Sequence, residues 1–211
     1  DGSRVLDAVS SWWTNIHGHA EARIARAIGQ QAHTLEQVIL AGCSHAPAVE
    51  LAERLLARAP QQAGHAPLAK VFYADNGSAG VEVALKMAYH WFHNQGIAGR
   101  TRFVALRGSY HGETLGALSM GDLPLYRRVY APLLLDVLFA PSPDAFGTQD
   151  DAGARAGAEA AADALAALFA AHASEICAFI LEPLLQCAGG VRLPHPRCAA
   201  CVGCATCTVF S

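Results

Sequence analysis

Two periodicities alternate along the chain. Short apolar runs bounded by turn residues predict strands, and stretches whose apolar positions recur every three or four residues predict amphipathic helices. Residues Arg4 to Val9 carry a short strand-like alternation, and Ser10 to Asn15 follow as a polar-aromatic loop. From His19 to Gln37, Ile24, Ala27, Ile28, Ala32 and Leu35 fall on one helical stripe. A second helix opens near Pro47, a residue suited to a first turn. It carries Val49, Ala52, Leu55, Leu56 and Ala59 on its stripe and closes at Pro60, and a loop is expected from Gln61 to Pro67.

The middle of the chain repeats strand, turn and helix. Lys70 to Ala74 reads as an apolar strand, Asp75 to Ser78 as a turn, and Val81 to Gln95 as a helix striped by Ala84, Leu85, Ala88, Trp91 and Phe92. Arg102 to Leu106 is the next strand, Gly108 to Gly112 its loop, and a helix follows from about Thr114. Val137 to Phe139 and Cys177 to Leu181 are further strands, the latter running into Glu182-Pro183. Between them, the alanine-rich run from Ala152 to Ala173 has a thin stripe of Leu165, Leu168 and Phe169 and is expected to be a helix. This alternation predicts an α/β domain with a parallel-rich sheet flanked by helices.

Composition narrows the function classes. At 211 residues the chain is one large domain or two small ones, and a net charge of -3 with no Lys and Arg cluster argues against nucleic acid as a partner. No stretch reads as a membrane span, because charges such as Asp136 interrupt every long apolar run. Charged residues make up 16% of the chain, against about 25% in an ordinary soluble domain, so apolar surface is expected to lie against further chain or a partner. Asp1 opens the chain inside what reads as a strand-turn, so the chain is expected to be a fragment. Cys43, Cys177 and Cys187 are scattered, which fits a reducing cytoplasm. Cys198, Cys201, Cys204 and Cys207 crowd the end at a spacing that departs from iron-sulfur runs and lacks the loop of structural zinc sites. A metal-binding module built on these cysteines stays open as a rival, although no metal ligand is assigned.

Three features fall on the carboxyl edge of the predicted sheet, where open α/β sheets bind ligands. Asn76-Gly77-Ser78 before a helix is either a phosphate cradle or a plain N-cap. Tyr110-His111-Gly112 either stacks on a planar group or covers the core, and Glu182 is either a charged group at the site or a solvated strand end.

Taken in order, with Ser10-Ser11-Trp12-Trp13, Ile16-His17-Gly18, His45-Ala46-Pro47-Ala48, Val81 to Ala88, Tyr110 to Ala117 and Gly189-Gly190, these residues resemble the class III pyridoxal-phosphate aminotransferases. The resemblance covers residues 1–197. It implies the fold-type I large domain and pyridoxal 5'-phosphate as cofactor. Gly77 and Ser78 match the family's phosphate cup, Tyr110 the aromatic that stacks on the pyridine ring, and Glu182 the glutamate near the cofactor. Trp12 and Trp13 match an aromatic pair at the substrate pocket, Trp12 being the one expected to touch substrate, and Glu113 is expected to shape substrate choice. The Ser-Ser-Trp-Trp stretch points to a biotin-biosynthetic activity that moves an amino group from S-adenosylmethionine to 8-amino-7-oxononanoate. The rival within the family is an enzyme using an ω-amino donor. A cytoplasmic homodimer is implied for the full-length enzyme.

Departures from the family accompany the match. The only lysines are Lys70 and Lys86, and neither stands where the family places its catalytic amine, so this chain by itself is expected to be inactive. The expected organisation is an N-terminal segment over 1–45 carrying the tryptophan loop, a partial cofactor-binding domain over 46–197, and an aberrant tail over 198–211. The tail is expected to be a frameshifted reading of ordinary family sequence, which would make its cysteine spacing an accident of codon use.

Overall fold

In the computed structural model, the described residues are 1–60, 66–145 and 150–193. The expectations for the loop within 61–65 and for the cysteine tail lie outside them. The chain divides into two compact units, residues 1–72 and 73–211.

The first unit is helical. A one-turn element α1 spans Ser10–Trp13, α2 Ala22–Thr34 and α3 Ala46–Leu56. The N-cap of α2 is Glu21, whose carboxylate accepts from the Arg23 and Ile24 amides at 3.1 and 3.0 Å. Pro47 sits in the first turn of α3. The helix stops at Leu56, before the expected Pro60, because Ala57, Arg58 and Ala59 turn back onto Glu53, Leu55 and Leu56 carbonyls. Neither α2 nor α3 buries a residue, so Ile24, Ile28, Val49 and Leu55 of their stripes remain exposed.

Three sequence expectations fail in this part of the chain. Arg4 to Val9 forms no strand, with Val5 and Leu6 exposed, and Lys70 to Ala74 forms no strand either. An apolar run becomes a strand only when a ladder satisfies its backbone groups. Phe72 accordingly stays 64% exposed. The expected Ser10–Asn15 loop contains the helical turn α1 instead.

The second unit is a three-layer α/β arrangement. Helix α4 (Gly77–Asn94) precedes β1 (Arg102–Leu106), α5 (Leu115–Met120) and the one-turn α6 (Pro124–Arg127). Then come β2 (Val137–Ala140), α7 (Asp151–Ala171) and β3 (Ile176–Phe179). The strands are parallel in the order β2-β1-β3, with Phe103 opposite Val137 and Ala178. Alternation along β1 feeds two cores. Val104 and Leu106 join Ala140, Ile176 and Phe179 under Leu165, Leu168 and Phe169 of α7, whose buried alanines 154, 158 and 161 present no bulk. Phe103 faces the other way, onto Leu85 of α4, Met120 of α5 and Cys177. The fold is thus the parallel-sheet α/β type that the alternation of elements predicts.

Met120 is fully buried at the junction of α5, α4 and the sheet. Truncation to alanine is expected to cost ~2–5 kcal/mol, measured as the shift in urea midpoint relative to the parent chain. An unchanged midpoint would show that this layer is not packed as described.

Candidate functional site

All three β-strands end at the same edge, and one buried side chain ties their exits together. Gln186, 2% exposed, donates through Nε2 to the Arg107 carbonyl just past β1 (3.1 Å) and accepts from Ser142 Oγ just past β2 (2.7 Å). Its own backbone pairs with Arg192, at 2.9 and 3.1 Å. Gly189 crosses the Gly108 carbonyl so closely that a Cβ there would collide with it. The exit of β1 is pinned again by Asp122, which accepts from the Gly108 amide at 3.2 Å and pairs with Arg107 and Arg127. Both guanidinium groups lie over the Phe139 ring, 5.3 and 4.9 Å from its centroid.

Upon this base the loop from Tyr110 to Ala117 closes onto α4. The Tyr110 amide donates to Glu182 Oε2 (3.1 Å), and the Cys187 amide donates to Glu182 Oε1 (3.3 Å). The Glu113 amide donates to Ser78 Oγ (3.2 Å), and the Tyr110 hydroxyl donates to Glu113 Oε1 (3.0 Å). Glu82, one turn into α4, accepts through Oε1 from Thr114 Oγ1 (2.6 Å), the Gly116 amide (2.7 Å) and the Ala117 amide (3.2 Å). Thr114 is the N-cap of α5 but caps nothing with its own side chain; the Glu82 carboxylate of a neighbouring helix performs that task. Gly112 (φ +126°) makes the closure possible, because a side chain there would be strained and would collide with Ser78.

Ser78, Tyr110, Glu113 and Glu182 are therefore joined in one hydrogen-bonded network, and Gly77 precedes Ser78 at the start of α4. Trp12 and Trp13 belong to the first unit, where they are 78% and 63% exposed. Sequence reasoning misses Glu82 and Gln186: a carboxylate that caps another helix leaves no local signal, and a lone buried glutamine looks like any surface amide. Glu82 and Gly112 fall within the matched segments, yet only the fold assigns their tasks.

The start of α4 is equipped for an anion. Asn76 caps it by accepting from the Ala79 amide at 2.8 Å, while the Gly77 and Ser78 amides make no hydrogen bond among the described residues. Ser78 Oγ spends a lone pair on Glu113 and keeps its proton to donate. Two free N–H groups and a hydroxyl at the positive end of an 18-residue helix suit a phosphate dianion. Electrostatics around the loop follow from burial. Desolvation, reinforced by the hydrogen bond to Glu113, pushes the Tyr110 phenol up to about 12. Burial raises the Glu182 carboxyl, and the Tyr110 and Cys187 amides oppose the rise. Burial also lowers His111 to about 4, and its Nε2 has no hydrogen-bond partner.

A parallel sheet whose exit loops gather at such a helix end is suited to a phosphorylated ligand, and sequence comparison supplies the class. The family described as Aminotransferase class-III matches residues 1–204, so the chain belongs to the class III aminotransferases. These are pyridoxal-phosphate enzymes of fold type I. Within the class, the chain is 45% identical over 198 residues to adenosylmethionine-8-amino-7-oxononanoate aminotransferase of Synechococcus elongatus, covering 93% of this chain and 44% of that protein. The crystal structure of the enzyme with the same name from Methanocaldococcus jannaschii superposes with a TM-score of 0.78 at 34% identity, covering 94% of this chain and 41% of that one. An ω-transaminase from Pseudomonas jessenii in complex with PMP superposes at 0.82 with 28% identity, over 92% and 42%. The chain thus spans less than half the length of these relatives.

His111 sets a pH dependence. Unfolded, it titrates near 6.5; folded, near 4, so the native state prefers the neutral ring. Stability is fully present above pH 6.5 and is lost as pH falls toward 4, by about 3 kcal/mol in all. Glu182, whose pKa is raised, acts in the opposite sense over its own range, so the comparison must be made within one background. Denaturant unfolding at pH 7 and pH 4 is expected to show a smaller acid loss in His111→Asn than in the parent. Equal losses would place the ring in water.

Proposed function

We propose that these residues are the cofactor-phosphate half of an aminotransferase that moves an amino group from S-adenosylmethionine to 8-amino-7-oxononanoate, giving 7,8-diaminononanoate in biotin biosynthesis. The observation that carries the reading is the network from Ser78 through Glu113 and Tyr110 to Glu182, set beside free amides at the start of α4. Pyridoxal 5'-phosphate, when bound, supplies an electron sink for exchange of nitrogen between carbon skeletons.

The chain's own residues divide the remaining work. The Gly77 and Ser78 amides and the Ser78 hydroxyl hold the phosphate. Tyr110 covers the cofactor ring, with its hydroxyl held by Glu113 so that the ring plane is fixed before ligand arrives. Glu182 balances charge beside the cofactor while anchoring the Tyr110 amide. Glu113 shapes substrate choice, since its carboxylate is already oriented by Tyr110. Trp12 and Trp13 line the substrate pocket, Trp12 making the contact. Residues 46–197 are read as part of the cofactor-binding domain and 1–45 as the segment that brings the tryptophans. The low charge fraction and exposed side chains such as Leu125 and Val129 support a homodimeric full-length enzyme.

Lys86 lies exposed in the middle of α4 and Lys70 in the segment before it, so neither is offered as the catalytic amine. The 211-residue chain, incubated with the cofactor, S-adenosylmethionine and 8-amino-7-oxononanoate, is expected to form no 7,8-diaminononanoate. Product in that assay would contradict this division of labour. The protein extended along its gene to include the catalytic lysine is expected to form it, with S-adenosylmethionine preferred over ω-amino donors. In the extended protein, Ser78→Ala is expected to weaken cofactor binding about tenfold, the value of one hydrogen bond to a charged group. Preference for an ω-amine would favour the rival activity.

A further inference from the structure

The Ser10–Trp13 turn is left-handed: φ is 50° at Ser10, 48° at Ser11, 59° at Trp12 and 66° at Trp13. L-residues resist this conformation, and consecutive residues seldom hold it unless something outside the backbone does. A carboxylate and an imidazole flank the turn. Asp7 Oδ2 accepts from Ser11 Oγ at 2.8 Å and from His19 Nε2 at 2.7 Å. The turn closes through the Asn15 amide on the Ser10 carbonyl (3.0 Å) and through Thr14 Oγ1 on the Ser11 carbonyl.

Ser, His and Asp in contact invite a nucleophilic reading, and the atoms exclude it. In a catalytic triad the two ring nitrogens face different partners, one the carboxylate and the other the hydroxyl. In this turn the same nitrogen, Nε2, faces both Asp7 and Ser11, the latter at 3.5 Å. Nδ1 faces Asn15 Nδ2 at 3.4 Å, where it can only accept. The Asp7 carboxylate, an acceptor at 2.7 Å, fixes the proton on Nε2. His19 therefore has no free basic nitrogen for Ser11. It is a strut that donates to Asp7.

We propose that Asp7 and His19 are positioning residues, a carboxylate–imidazole clasp that holds the left-handed turn and thereby fixes the directions in which Trp12 and Trp13 are presented to substrate. The substrate-facing role of the tryptophans rests on the proposed aminotransferase function; the clasp itself does not. Asp7 is half-buried, and the nearby Ser11 backbone, the His19 ring and the Ser11 hydroxyl hold its carboxyl well below the usual range.

The test uses the 211-residue chain, which has three tryptophans. Trp91→Phe leaves emission from Trp12 and Trp13 alone. In that background Asp7→Ala and His19→Leu are expected to lose the slow component of the tryptophan anisotropy decay and the near-ultraviolet circular dichroism of the pair, with the far-ultraviolet spectrum kept. His19→Gln retains an N–H for Asp7 and is expected to restore both signals, which a purely space-filling role would not require. Asp7→Asn, which keeps one acceptor oxygen, is expected to fall between. Parent-like anisotropy in Asp7→Ala, or equal behaviour of His19→Leu and His19→Gln, would overturn the clasp. The readout needs neither cofactor nor substrate, so a failed transaminase assay leaves it standing and a failed anisotropy test leaves the proposed activity standing.

Discussion

Residues 110–117 leave β1 with a series of backbone N–H groups pointing toward other elements, and side chains from those elements accept from them. Glu182 takes the Tyr110 amide, Ser78 takes that of Glu113, and Glu82 takes those of Gly116 and Ala117. Two of the three acceptors are carboxylates, which make stronger hydrogen bonds to N–H than neutral oxygens do. The loop is thus fixed by its backbone, which leaves the Gly77 and Ser78 amides open, while the Tyr110 ring packs against Tyr126 at 5.4 Å between centroids. Closure this tight needs residues without side chains where the loop meets α4. At Gly112 a Cβ would strike Ser78, and at Gly116 it would strike Glu82.

The base under this loop is as important as the loop. Gln186 joins the exits of β1 and β2 to its own segment beyond β3, so the three strand ends cannot slide independently. Parallel strands of unlike connection would otherwise share only their ladders. With the edge fixed, burial becomes an electrostatic instrument: it raises Tyr110 and Glu182 and lowers His111, favouring the uncharged form of each.

Much of this arrangement is legible in the residue pattern, for definite reasons. The apolar strand β1 and most of the α4 stripe survive into the structure because local neighbours bury them, while Trp91 of that stripe stays exposed. The Gly-Ser, Tyr-His-Gly and Glu-Pro segments are each ambiguous alone and become informative through their common position at strand ends. What the pattern cannot supply is partnership. Lys70 to Ala74 has a strand's composition and no ladder, and the stripes of α2 and α3 have amphipathic spacing and no cover. The Ser10–Trp13 turn reads as loop because a left-handed conformation in residues other than glycine is fixed by Asp7 and His19, which lie before and after it. Glu82 escapes notice for a similar reason: its three donors are more than thirty positions away.

If closure of the Tyr110–Ala117 loop on α4 makes a phosphate site, the chain must tell a phosphorylated ligand from its parent alcohol. Calorimetric titration with pyridoxamine 5'-phosphate and with pyridoxamine, which differ only in the phosphate and form no carbonyl adducts with lysines, tests this directly. The expected result is binding of the phosphorylated compound, little or none of the other, and loss of the difference in Gly112→Ala, where the loop can no longer seat on Ser78. Equal affinity for the two compounds, or an undiminished phosphate preference in Gly112→Ala, would contradict it.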